Sequence, residues 1–257
     1  VDGLVALLIL DMTLQRNMEK VQRDFVANVS HELRSPLTSL AGFVETMLSG
    51  EVSDPEMRTR FLKIMDEEAK RMSRLVDDLL SLSRVEVEEH IVPETALQIV
   101  ELVQSVKRSL EGQADRKKMR IMLRQDECGV VLSSATIAGN QDEITEVFVN
   151  LIENAIKYGK PKGQISVDIS EVYYEPKLKK DAHSISVKDE GPGIDLIHIP
   201  RLTERFYRID THRSREQGGT GLGLAIVKHI VNRHRGRLSI ESAVGIGTEI
   251  KLLLPVH

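Results

Sequence analysis

Tryptophan is absent from this 257-residue chain, cysteine occurs once, and aromatic residues make up only 4% of it. So thin an aromatic supply offers no stacking platform for nucleic-acid bases. The single Cys128 excludes an internal disulfide and fits a reducing compartment. An excess of one charge is also lacking. Charged residues reach 29%, yet the formal net charge is only -4, which gives no general electrostatic reason to bind nucleic acid or a membrane surface. No apolar run approaches the roughly 20 residues that a membrane span needs. The run from Val5 to Leu10 is too short and lacks the basic flank of a signal peptide. The expectation is a soluble cytoplasmic piece of a longer protein, since it begins without Met and in mid-element, with membrane attachment only through upstream segments. Its length suits one or two domains with a sizeable core.

What is present begins with two long helical patterns. Leu14, Met18, Val21, Phe25, Val29, Leu33, Leu37, Leu40, Val44 and Met47 recur at spacings of three and four, the period of one helix face over residues 14–49. Pro36 interrupts the pattern and predicts a kink. Asp54-Pro55 reads as a cap followed by proline at the first helical position. The second helix carries Phe61, Met65, Met72, Leu75, Leu79 and Leu82 and ends near residue 89. Two such helices joined by a turn at 50–53 predict an antiparallel hairpin. A lone hairpin leaves its apolar seam open, so a homodimer forming a four-helix bundle is expected. A purely structural coiled-coil stalk would carry the same pattern. His31 argues for chemistry: it sits two residues from both Val29 and Leu33. At about 100° per residue it points away from the stripe, with Glu32 beside it.

Pro93 marks a boundary beyond which helices and strands mix. Helices are expected at 97–114, 141–158 and 222–235. Strands are expected at 120–124, 129–133, 164–172 and 184–188, with a hairpin over 238–255. This is an α/β sandwich, helices covering one face of a mostly antiparallel sheet. The stretch 173–183 reads as a solvated hairpin loop.

Three features of this second region bear on chemistry. On the 141–158 helix, Glu146, Asn150, Asn154 and Lys157 line up opposite the apolar face. Amide oxygens suit a hydrated Mg²⁺, and Lys suits phosphate, although an ordinary exposed face would look the same. Asp189-Glu190-Gly191-Pro192-Gly193-Ile194 follows an apolar strand. A carboxylate there can accept from an exocyclic amine, while glycines let backbone approach a ligand; an isolated turn is the alternative. Gly218-Gly219-Thr220-Gly221-Leu222-Gly223-Leu224 opens a helix, whose free N–H groups and dipole favour phosphate. It is neither a Walker loop nor a Rossmann fingerprint.

Taken in order, FVANVSHELRSPLTSL, NLIENAIKY, DEGPGI, ERFYR, GGTGLGLAIVKHIV and GIGT resemble the boxes of the orthodox sensor histidine kinases of two-component systems. The resemblance covers nearly the whole chain and is nearest the phosphate-regulon branch. The start, LLILDMT, is similar to the last strand and exit of a PAS sensor domain. The resemblance implies a truncated PAS-like end at 1–13, a dimerisation and histidine-phosphotransfer domain at 14–90, and an ATP-binding domain of the gyrase–chaperone–kinase type at 91–257. It also implies ATP and Mg²⁺ as cofactors and a response-regulator receiver domain as partner.

By that resemblance His31 attacks the γ-phosphorus, and Glu32 orients the ring and takes its proton. Asp189 binds the adenine amine, with Gly191 and Gly193 shaping the turn, and Tyr158 flanks the nucleotide. Asn154 holds Mg²⁺ and Asn150 supports metal or phosphates. Lys157 and Arg208 contact phosphate. Gly219, Thr220, Gly221, Leu222 and Gly223 form the phosphate end, and residues 209–219 a flexible lid. ATPases of this fold resemble one another in carrying a water-activating Glu where this chain has Asn150, which favours transfer to His31 over hydrolysis. Two departures stand out. Ser35 occupies a position usually Thr or Asn in members that also dephosphorylate their regulator. Thr203 replaces an aromatic before ERFYR, which predicts a looser lid anchorage. The rivals are an ATPase or clamp of the same fold, which would hydrolyse ATP without labelling itself, and a non-catalytic scaffold, which would bind no nucleotide.

Overall fold

The computed structural model describes residues 13–50, 52, 54–125, 135–209 and 219–257. The apolar run at 5–10, the strand expected at 129–133 and nearly all of the expected lid lie outside these residues. The chain divides into two compact units, 1–74 and 75–257.

The first unit is built on α1, Thr13–Leu48, and the first part of α2, Pro55–Val87. Asp54 caps α2 as its position predicts: its carboxylate accepts from the backbone N–H groups of Glu56 at 3.1 Å and Met57 at 3.3 Å. Helix α1 runs on through Pro36 as one element, although proline offers no N–H to the carbonyl four residues back. Two contacts fix the hairpin. Phe43 and Phe61 stack tilted with centroids 5.0 Å apart, and Arg71 Nη2 donates to Glu32 Oε2 at 2.7 Å. The two pairs run in opposite senses along the chain, so the helices are antiparallel. Leu37 is 58% exposed and Val44 42%. Part of the apolar stripe is therefore left uncovered by a single chain.

The second unit takes the last turns of α2 and the rest of the chain. Strand β1, Ala96–Gln98, replaces the first residues of the helix expected at 97–114, and α3 follows at Ile99–Arg116. Strand β2 is Arg120–Gln125 and β3 Thr136–Ala138, the latter pairing antiparallel with β1. Helix α4 is Gln141–Tyr158 and β4 Gln164–Ile169. The stretch read as a solvated hairpin loop is a hairpin with strand pairing of its own: β5, Tyr173–Glu175, pairs with the start of β6, Lys180–Asp189. Helix α5 is Gly223–Arg233, and β7, Arg237–Ala243, turns into β8, Gly247–Pro255. The main sheet runs β2-β4-β6-β8-β7, parallel only between β2 and β4.

Alternation sorts the sheet's faces. Ile165, Val167 and Ile169 of β4 and Ile185 and Val187 of β6 are buried. They share a core with Ile144, Val147, Phe148, Leu151 and Ile152 of α4 and Ile226, Val227 and Ile230 of α5. Phe148 is fully buried. Phe148→Ala is expected to lower stability by about 3–5 kcal/mol, read as a reduced denaturation midpoint with an unchanged denaturant slope.

Polar groups set α4 and α5 against each other. Asn140 caps α4, its Oδ1 accepting from Asp142 and Glu143 N–H at 3.0 and 3.3 Å. Its own N–H donates to His234 Nε2 at 3.0 Å, while His234 Nδ1 lies 2.8 Å from the Ile230 carbonyl. A carbonyl can only accept and an N–H only donate, so His234 is the neutral Nδ1–H tautomer. Burial pushes its pKa down, in agreement. Arg233, 6% exposed, pairs with Glu143 of α4 and with Glu88 at 2.9 Å.

Candidate functional site

The sequence-predicted residues fall into two groups, one in each unit. In the first, His31 and Ser35 are exposed on α1, one turn apart on the same face. Glu32 diverges from His31 by about 100° and is half-buried. Its carboxylate meets Arg71, whose side chain is 11% exposed and also lies 3.5 Å from Glu68. Arg71 is therefore part of the histidine's surroundings, and inspection of the histidine box alone misses it. The signal that could have found it is a lone arginine on the inward side of α2, one residue before Met72 of the apolar pattern.

In the second unit, α4 brings up Asn150, Asn154 and Lys157, all half-buried, and the exposed Tyr158. Asn150 Nδ2 donates to the Glu146 carbonyl at 3.0 Å, which turns its Oδ1 toward α5. A Cβ placed on Gly223 would lie 2.4 Å from that oxygen, so only glycine lets the helix start approach α4 this closely. Lys157 Nζ lies 3.3 Å from Glu153 Oε2, a partly exposed pair of small energetic weight.

Asp189 ends β6, and its Oδ1 accepts from Gly191 N–H at 2.7 Å. Burial pushes the Asp189 carboxyl up, opposed by backbone N–H bonds from Gly191 and Thr248. The following turn is locked from behind. Gly245 N–H donates to the Pro192 carbonyl at 2.7 Å, and Ile194 N–H to Ser242 Oγ at 2.8 Å. Gly193 has φ +71° and packs where a Cβ would lie 1.9 Å from the Ala243 carbonyl, so both its dihedral and its packing demand glycine. The late GIGT turn thus serves the Asp189 loop directly.

The ERFYR segment and the second glycine box are tied together. Phe206 N–H donates to the Gly221 carbonyl at 2.8 Å, and Arg208 Nη2 to the Thr220 carbonyl at 2.7 Å. Leu222 is fully buried, and Gly219, Thr220 and Gly221 are half-buried ahead of α5. Tyr207 is tied to the turn that precedes it. Its hydroxyl lies 2.6 Å from His198 Nδ1, and the Arg201 guanidinium sits 4.2 Å over its ring. His198 and Arg201 carry no family signature, and the turn between them and Tyr207 brings the three together.

An acidic end of one loop, oxygen-bearing amides on α4 and a glycine-opened helix start suit a nucleotide with its amine at one end and phosphates at the other. Comparison with known proteins places the two regions in known families. Residues 139–257 match the family described as histidine kinase-, DNA gyrase B- and HSP90-like ATPase. Residues 21–88 match the His Kinase A phospho-acceptor domain. The phosphate regulon sensor protein PhoR of Pseudomonas aeruginosa is 39% identical over 94% of this chain and 52% of its own length. The sensor histidine kinase WalK of Bacillus subtilis is 37% identical over 99% of this chain and 40% of its own. The chain belongs to the sensor histidine kinases. It spans about half the length of these curated relatives or less.

Solved structures share the kinase fold. Histidine kinase AdeS of Acinetobacter baumannii superposes with a TM-score of 0.68 at 24% identity, over 88% of this chain and 98% of that one. Histidine kinase ThkA, solved in complex with the response regulator protein TrrA, superposes with a TM-score of 0.72 at 21% identity, over 96% and 65%. Among the described residues no helix is long and apolar enough to cross a membrane.

Proposed function

We propose that this chain is an ATP-dependent histidine autokinase that phosphorylates His31 and passes the phosphoryl group to an aspartate of a response-regulator receiver domain. The observation that carries the reading is an exposed histidine in a phospho-acceptor helix, linked in one chain to an ATPase-family domain whose nucleotide boxes fold together. In this reading Asp189 accepts from the adenine amine, and Gly191 and Gly193 hold its loop open. Tyr158 flanks the nucleotide. Lys157, Arg208 and Thr220, with the backbone N–H groups of α5's first turn, face the phosphates.

Asn154 presents an amide oxygen, a hard donor on the same face as Asn150, and this donor chemistry fits Mg²⁺. Bound there with the triphosphate, Mg²⁺ would neutralise phosphate charge. A ring-nitrogen lone pair of His31 forms the new N–P bond as the bond from the γ-phosphorus to the β,γ-bridging oxygen breaks, and ADP leaves. The proton on the other ring nitrogen passes toward Glu32, which Arg71 holds in place.

Hydrolysis is the poorer reading. The family's water-activating position is Asn150, and Glu146, one turn earlier, has its carboxylate engaged by Ser81 Oγ at 2.7 Å. We further propose that the exposed apolar face of the hairpin pairs with a second copy as a four-helix bundle and that the chain works on the cytoplasmic side. The match of 21–88 to the phospho-acceptor domain and the exposure of Leu37 and Val44 support the first, and the single Cys128 the second.

The test is incubation of the chain with γ-labelled ATP and Mg²⁺, then addition of candidate receiver domains. Label on the kinase that moves to a receiver supports the reading. Steady phosphate release with no labelled protein overturns it. Ser35 keeps a hydroxyl one turn beyond His31 on its exposed face. Ser35→Ala is expected to leave the autophosphorylation rate within about twofold and to lower regulator dephosphorylation severalfold. A collapse of autophosphorylation would place Ser35 in the kinase step instead.

A further inference from the structure

The last turns of α2 belong to the ATP-binding unit and are seated on it by one face. Leu82 and Val85 are each 1% exposed and Leu75 4%. Asp78, Ser81, Glu86 and Glu89 lie on or beside the same stripe, and all four reach polar groups of the unit. Ser81 donates to Glu146. Glu86 accepts from Arg205 Nη2 at 2.5 Å, and His229 Nδ1 lies 3.0 Å from Glu89 Oε2. Asp78 reaches the glycine-rich turn ahead of α5: its Oδ2 accepts from Thr220 Oγ1 at 2.5 Å. Thr220 stands in the glycine box, with the Arg208 guanidinium on its carbonyl and the start of α5 three residues on.

The Arg208 guanidinium and a helix N-terminus make this end of the site electropositive, and in this structure a carboxylate is hydrogen-bonded to the Thr220 hydroxyl. We propose that Asp78 is an internal competitor of the nucleotide's phosphates. Seating of residues 75–89 and binding of ATP then oppose each other, so that ATP loosens the seat and the seat weakens ATP. The inference rests on the reading of this site as the ATP site. Asp78 occupies the Thr220 hydroxyl that the phosphates would use, and the two anions repel each other if both remain. Coupling between two such events is reciprocal, so whatever factor the seat removes from ATP affinity, ATP removes from seating.

The experiment is equilibrium binding of a fluorescent ATP analogue with Mg²⁺, and of adenosine, to the full chain and to Asp78→Asn and Glu86→Gln. Asparagine keeps an acceptor for Thr220 and loses the charge. Glu86→Gln weakens the seat at Arg205, away from the glycine box. Asp78→Asn is expected to tighten ATP about tenfold while adenosine changes less than twofold, and Glu86→Gln to tighten ATP by a smaller factor. Equal ATP affinity in the parent and Asp78→Asn overturns the competition and leaves the ATP site standing. Binding of ATP by none of the three removes the ATP-site reading, and the competition with it. Circular dichroism of the variants excludes misfolding as the cause of any change.

Discussion

His31→Gln is expected to abolish acid-labile, base-stable labelling by γ-labelled ATP, a loss beyond detection, while leaving nucleotide affinity unchanged. Glutamine matches histidine in bulk and polarity, and the side chain is exposed on α1. The helix therefore loses no packing, and only the nucleophilic nitrogen goes. An N–P bond is cleaved in acid and survives base, so the stability of the label reports which atom was phosphorylated. Label that persisted in the variant with the same acid lability would assign the acceptor to another nitrogen and sink the role given to His31.

Asp189→Asn is expected to cost at least 10- to 100-fold in ATP affinity, the worth of one hydrogen bond to a charged acceptor of roughly 1.5–3 kcal/mol. The same change is expected to raise the melting temperature of the nucleotide-free chain at neutral pH. The two effects share a cause. Burial pushes the Asp189 carboxyl up in the folded chain, so the folded state holds this proton to a higher pH than the unfolded state does. The group's contribution to stability is greatest below the unfolded carboxylate range. It falls as pH rises through the folded value and stays low above it. Asparagine removes that penalty, at about 2–4 °C for each kcal/mol recovered. The gain should be present at pH 7 and disappear under acid conditions where Asp189 is protonated in both states. Melting curves at several pH values check the sign, and a variant that melts lower at pH 7 would mean that the N–H bonds from Gly191 and Thr248 outweigh burial.

The long elements were legible because each has redundant local signals. Period, cap and proline agree for α2, and an apolar face set opposite a polar one marks α4. Strands β1 and β3 carry only three residues each, too few for alternation to show, and their pairing joins segments about forty residues apart. Strand β5 was hidden by its polar composition. It is an edge hairpin with no core face to mark it, Tyr174 being 61% exposed.

Within the site, the glycine boxes, Asp189 and the α4 amides were readable because ligand-facing backbone demands glycine or oxygen at set spacings. The supporting groups were not. Arg71 and Asp78 are ordinary surface residue types whose partners lie 39 and 142 residues away, and His198 and Arg201 meet the nearby Tyr207 through a turn that carries no periodic signal. Glu143 with Arg233 and Asn140 with His234 are separated by 90 and 94 residues, beyond any local pattern.

The position of β8 has a consequence for how this chain is made. It lies inside the sheet, hydrogen-bonded to β6 on one side and β7 on the other, and most of its residues are buried. Yet it leaves the ribosome after both of them. Until then β6 has an unpaired inner edge, and the apolar residues of α4 and α5 lack part of their cover. Vectorial synthesis can complete the first unit early, but the ATP-binding unit closes only when the strand at 247–255 has emerged. A nascent chain stalled before that point exposes a sheet edge of the kind that chaperones shield and neighbouring chains pair with.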